Sequence, residues 1–264
     1  MGYTQAMSPD WNAVRAADRH RPFPAPTSPW LMTMSWCDLC FLHWSVNVDD
    51  LRALVPACLD LDLFGGRAWL AVVPFRMEHV SGRFLPDVPG VSSFPELNVR
   101  VYVSVGGVLG VYFFSLDATQ PLAIWGARTF FHLNYLSATM SCEPDTTGGS
   151  GTDDTAIRYR SERTDHRGPP GRFVARYGPT GPVMAVEPGS VEHFLTERYC
   201  LYAVDDDGQP LRGHIQHAPW PLQPGFCDIE EDTVVPVPLA RAGQPLVHFA
   251  RRIDVVGWPL QPAR

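Results

Sequence analysis

The chain has 264 residues, 45% hydrophobic and 19% charged, with 26 Pro and 22 Gly, the composition of a turn-rich globular chain long enough to bury a sizeable core. A formal charge of -7 argues against nucleic acid and anionic membrane as partners, since both attract basic surfaces. All basic side chains counted as Lys+Arg are arginines, and no lysine occurs between Met1 and Arg264.

Met1 to Trp30 carries Asp, Arg and Pro where a secretory leader has an apolar core, and six scattered cysteines fit a reducing compartment, so a cytoplasmic location is expected. Residues 1–29 read as a partly disordered arm in which Pro22, Pro24, Pro26 and Pro29 forbid a helix. Residues 30–264 read as one domain. Cys37, Cys40 and His43 invite a metal reading, but no second Cys-x-x-Cys completes a tetrahedron, and on a strand from Met34 to Trp44 the two thiols face opposite sides. No metal or cofactor is therefore expected. His43, followed by Trp44, suits a general acid or base because imidazole titrates near neutrality, or equally a packed core histidine.

Further along, Asp49 is expected to cap a helix over Asp50–Val55 and Ser190 one over Val191–Arg198. Strands are expected at Ala68–Met77, Leu97–Val105, Val108–Leu116, Ala156–Arg163, Arg172–Tyr177, Arg198–Val204 and Leu246–Val256, where β-branched and aromatic residues recur between Gly and Pro. Residues 143–155, polar and glycine-rich, read as a mobile surface loop. The most apolar run, Val99–Leu116, contains Arg100 and Gly106-Gly107 and is no membrane span. Neither a Gly-x-Ser-x-Gly elbow nor a nucleotide fingerprint is present.

Gly106-Gly107 between two alternating runs is a hairpin signal. Alternation puts Glu96, Asn98, Arg100, Tyr102 and Ser104 on one face, and Leu97, Val99, Val101, Val103 and Val105 on the other. The polar face either meets water or lines a cavity of converging polar groups. The pattern leaves both open, and a two-layer sandwich fits it as well as a barrel does.

Residues 95–103 and 110–118 resemble the uncharacterised DUF2071 (YqjF-like) family. So do Phe41-Leu42-His43-Trp44, Phe64-Gly65-Gly66-Arg67-Ala68-Trp69, residues 127–133, Leu195-Thr196-Glu197-Arg198-Tyr199 and residues 217–222. The likeness covers about residues 30–225 and is in turn similar to the acetoacetate decarboxylase superfamily. It implies a mainly β (α+β) fold, a curved, cone-shaped β-barrel with a few short helices, enclosing one pocket, and a homo-oligomer. In the decarboxylases a pocket glutamate precedes a strand and a later lysine forms an imine with the substrate. Glu96 matches the glutamate, whereas Arg128 stands at or beside the lysine position. A guanidinium is never a neutral amine near pH 7, so imine catalysis is unavailable, but its planar fork can clamp a carboxylate.

The resemblance thus implies a pocket for an unknown small molecule, with Glu96, Arg128 and His43 as candidate catalytic groups and Arg100, Asn98, Tyr102, Tyr135, Tyr199 and His217 as candidate binding groups. A noncovalent lyase, isomerase or cyclase acting on a carbonyl- or carboxylate-bearing ligand is one reading. A noncatalytic scaffold or regulatory protein with a vestigial pocket is the other. Glu96 and Arg100 admit a structural ion pair instead of a site, and Glu197-Arg198-Tyr199 reads as a helix-end or interface anchor.

Overall fold

The computed structural model describes residues 9–83, 92–121, 124–126, 128, 132–145, 156–236, 239–241 and 243–263. Its strands are β1 (Met32–Val46), β2 (Asp60–Leu61), β3 (Ala68–Gly82), β4 (Phe94–Val105), β5 (Val108–Ala118), β6 (Tyr135–Pro144), β7 (Ile157–Arg163), β8 (Arg172–Pro179), β9 (Cys200–Val204), β10 (Pro210–Gln216), β11 (Gln223–Asp232), β12 (Leu246–Gly257) and β13 (Gln261–Pro262). Short helices accompany them, among them α1 (Trp11–Ala16), α2 (Val48–Arg52) and α3 (Val191–Thr196).

The hairpin forms where the sequence asks for it. Gly106 and Gly107 turn at φ 58° and 77°, conformations that cost glycine little, and β4 pairs antiparallel with β5 through Glu96↔Ala118 to Val105↔Val108. Around this hairpin the order β5-β6-β7-β8-β11-β12-β1-β3-β4 closes on itself through the β4–β5 pairing, giving a nine-stranded barrel. A second, smaller ring shares five of those strands. The β9–β10 hairpin runs from β5 (Val111↔Leu201) to β12 (Ile215↔Gly257) and closes a chamber on the opposite face of β5-β4-β3-β1-β12. Gly110 permits the approach of β9, since a Cβ there would stand 2.7 Å from Cys200 Sγ and 2.8 Å from its carbonyl oxygen.

The period of two then sorts β4. Leu97, Val99, Val101 and Val103 join Leu42, Val72, Tyr159, Phe173, Tyr177 and Phe249 in the core of the nine-stranded barrel. Glu96, Asn98, Arg100 and Tyr102 face the smaller ring, and all four are buried. The polar face therefore does not meet bulk water.

Several boundaries differ from expectation. Helix α1, capped by the Asp10 carboxylate, lies within the arm expected to lack helix, because Pro9 stands before its first turn and Pro22 to Pro29 lie beyond it, leaving residues 11–16 unrestricted. Helix α2 is capped by Asn47, whose Oδ1 accepts from the Asp49 and Asp50 amides, so it starts earlier than expected. Ser190 does cap α3, as expected, although α3 stops at Thr196, and β9 begins at Cys200. Strands β6, β10 and β11 were not legible as strands. In β1, Asp38 at φ 54° and a register shift between Cys37 and Leu42 break the alternation that separates Cys37 from Cys40. Residues 1–8, and 146–155 of the predicted loop, lie outside the described residues, whereas Glu143 and Pro144 end β6. No helix among the described residues is long and apolar enough to cross a membrane.

Candidate functional site

The smaller ring encloses a cavity of about 500 Å³ whose walls include Glu96, Asn98 and Arg100 from β4, Tyr135 from β6, Thr196 at the end of α3 and Arg198 beyond it, His214 from β10 and His217 just after β10. The remaining wall is mostly hydrocarbon and aromatic ring, from Met34 and Trp36 on β1 to Phe113 on β5 and Trp220.

Glu96 is 2% exposed and accepts a hydrogen bond from the Tyr135 hydroxyl at 2.7 Å. Burial penalises its carboxylate and pushes the pKa up to about 7, against the pull of hydrogen bonds from Tyr135 and Asn98. A carboxyl group titrating near neutrality is matched to donating or accepting a proton at working pH. Tyr135 responds in the opposite sense to its use as a base. Burial and the adjacent Glu96 hold its phenol well above the ordinary tyrosine range, so it acts as a donor.

Arg100 is 7% exposed. Its Nη2 makes one long contact to the Leu195 carbonyl (3.4 Å), its Nε has no partner, and its guanidinium lies 5.4 Å from the Phe41 ring centre. Among the described residues no carboxylate pairs with it. The structural ion pair between Glu96 and Arg100 does not form. Four residues of strand separate their Cα atoms by roughly 13 Å, and each side chain is drawn to a different wall, Glu96 toward β6 and Arg100 toward α3.

Asn98 and His217 also line the cavity. Asn98 Oδ1 has no partner, while the His217 ring is engaged on both sides, Nδ1 with Ala218 O and Nε2 with Arg198 O. Four other candidates lie off the cavity wall. His43 is enclosed by Phe41, Tyr102 and His248, with neither ring nitrogen partnered. Burial drives its pKa well below the ordinary histidine value, so it is a neutral packing residue behind the wall. Arg128 is turned away, bonding the Tyr135 carbonyl through Nε (2.6 Å) and pairing with Asp165; it holds the backbone of β6 rather than a ligand. Tyr102 donates to the Leu195 carbonyl (2.8 Å) and anchors α3. Tyr199 hydrogen-bonds Glu197 and stacks on His217.

The sequence reading missed Arg198, His214 and Trp36 as lining residues. Arg198 is paired with Asp62 (2.6 Å) and stacked on Phe194 (4.3 Å), yet its Nη2 is unpartnered. Its charge beside a helix end looked like an anchor, and it is one that also borders the cavity. His214, lowered to about 4 by burial and by Arg21 and Arg212, stays neutral. Nothing local marks these residues. Arg198 and His214 reach the cavity because β9–β10 crosses from β5 to β12, a closure set by long-range pairing.

Two comparisons agree on the family and a third on the fold. The model of the DUF2071 family, described as an uncharacterized conserved protein, matches residues 33–254. The uncharacterized protein YqjF of Bacillus subtilis (strain 168) is 41% identical over 239 residues, covering 89% of this chain and 94% of that protein. Among solved structures, the enduracididine biosynthesis enzyme MppR complexed with pyruvate is similar at a TM-score of 0.60 and 12% identity, covering 90% of this chain and 92% of that one. The acetoacetate decarboxylase of Legionella pneumophila subsp. pneumophila str. Philadelphia 1 is similar at 0.57 and 14%, covering 96% and 95%. At such identities the structures speak to architecture alone. This chain belongs to the DUF2071 family, of which YqjF is a relative, and has the acetoacetate-decarboxylase-like fold.

Proposed function

We propose that the protein binds a small carbonyl- or carboxylate-bearing molecule in the chamber of the smaller ring and acts on it, if it acts, as a noncovalent lyase, isomerase or cyclase. The observation that carries this reading is Arg100, a buried guanidinium without a carboxylate partner among the described residues, in the wall of a 500 Å³ cavity. An uncompensated buried cation costs several kcal/mol, on the order of the penalty for breaking a buried pair, and a bound anion offsets that cost. Glu96, near pH 7 in its titration, supplies the proton donor or acceptor, with Tyr135 fixing its carboxylate. Imine chemistry is closed to this chain because it contains no lysine. Similarity to a structure complexed with pyruvate adds support for a keto-acid ligand.

The test is thermal melting against a panel of keto acids. A binder present at a hundred times its dissociation constant stabilises by about 2.7 kcal/mol, and the account expects at least one such compound, inactive on Arg100→Met. Silence across the panel favours the noncatalytic reading, with the pocket vestigial.

A further inference from the structure

Resting on the anion site just described, we infer that the ligand is an elongated amphipathic acid: a carboxylate at one end, an aromatic or long hydrocarbon body, and a carbonyl or hydroxyl oxygen far from the carboxylate. Three observations converge on it.

The first is the spacing of the two polar poles. Arg100 and Glu96 share one face of β4 but are not in contact, their Cα atoms lying roughly 13 Å apart at about 3.3 Å per residue. Each is tied to a different wall, by the Leu195 carbonyl and the Tyr135 hydroxyl respectively. A molecule that engages both must bridge the gap between those two walls.

The second is volume. The cavity measures about 500 Å³. Six heavy atoms, as in pyruvate, take well under half of that space even at the roughly 30 Å³ a water-sized group occupies in liquid. The space left over is bordered by Met34, Trp36, Met77, Phe94 and Leu133, surfaces that gain by covering apolar carbon and leave water without partners.

The third is the pair of indoles. Trp36 and Trp220 both line the cavity and stack on each other with centroids 6.0 Å apart and planes 20° from parallel. Neither Nε1 has a hydrogen-bond partner, although a buried indole N–H ordinarily finds one. Flat aromatic walls favour a flat aromatic body.

The experiment is calorimetric titration of the full chain with pyruvate, acetoacetate, ω-benzoylhexanoate and the methyl ester of the last. The inference expects ω-benzoylhexanoate to bind at least about tenfold more tightly than either short acid, the ester to lose most of that affinity, and Arg100→Met to abolish the difference between acid and ester. Equal affinity for long and short acids overturns the inference while leaving the anion site standing. Equal affinity for acid and ester overturns the anion site while leaving the long apolar chamber. No binding by any of the four overturns both. Arg100→Lys, which keeps the charge, serves if Arg100→Met does not fold, and the long acid must remain its preferred ligand.

Discussion

The two faces of β4 belong to one strand and one alternating sequence, yet they are finished differently. On the odd face Leu97, Val99, Val101 and Val103 fill the nine-stranded barrel, and the charged groups there are matched. Arg163 donates to Asp117 through Nε and Nη2 at 3.0 Å each, to Ser115 Oγ at 3.2 Å and to the Pro169 carbonyl at 2.8 Å. On the even face a cavity remains, and Asn98, Arg100 and Arg198 each keep an unpartnered polar atom. A core built for stability satisfies its polar groups. A guanidinium without a counter-charge beside a cavity of about 500 Å³ carries a cost in stability of the kind seen at functional sites.

Breaking the matched side has the largest expected effect. Asp117→Asn strands the Arg163 guanidinium and should lower unfolding stability by about 3–5 kcal/mol, read as a lower denaturant midpoint with unchanged slope. Next comes the pH dependence of the chamber. Glu96 titrates near 7 when folded against 4.5 unfolded, so the folded state holds the extra proton. Its stabilising effect is complete below pH 4.5 and disappears as pH rises through 7, a loss on the order of 3 kcal/mol. Glu96→Gln should flatten that part of the stability profile between pH 4.5 and 7, measured by melting in matched buffers. Tyr135→Phe removes the donor to Glu96 and should cost about 1 kcal/mol while moving the Glu96 titration further upward, a shift that carboxyl-labelled NMR reads directly. Arg100→Met has the smallest expected effect on stability. It should be neutral or should raise stability by roughly 0.5 kcal/mol, because the guanidinium keeps only a long contact to the Leu195 carbonyl and the Phe41 ring face, with no carboxylate partner among the described residues.

The hairpin and the sorting of β4 were legible because they rest on period two and on a Gly-Gly turn, both local. The full length of β1 was not, because Met34 to Trp44 is almost wholly buried on both faces and so shows no alternation, only apolar residues interrupted by Ser35, Asp38 and His43. The site was half legible. Glu96, Asn98, Arg100 and Tyr135 line the cavity, whereas Arg128 and His43 were expected from a motif position and a residue type, and neither dictates where a side chain points. Arg198 and His214 became visible only once β9–β10 had closed the ring, since no spacing along the chain links Arg100 to residues about a hundred positions later.

The most direct test joins stability and binding in one protein: melting of wild type and Arg100→Met with and without the best-binding carboxylate. The account predicts that Arg100→Met melts at or above the wild-type temperature and no longer responds to the ligand. A melting temperature lowered as far as that of Asp117→Asn, with the ligand response intact, would contradict it, because Arg100 would then be a structural cation and the chamber would bind by other means.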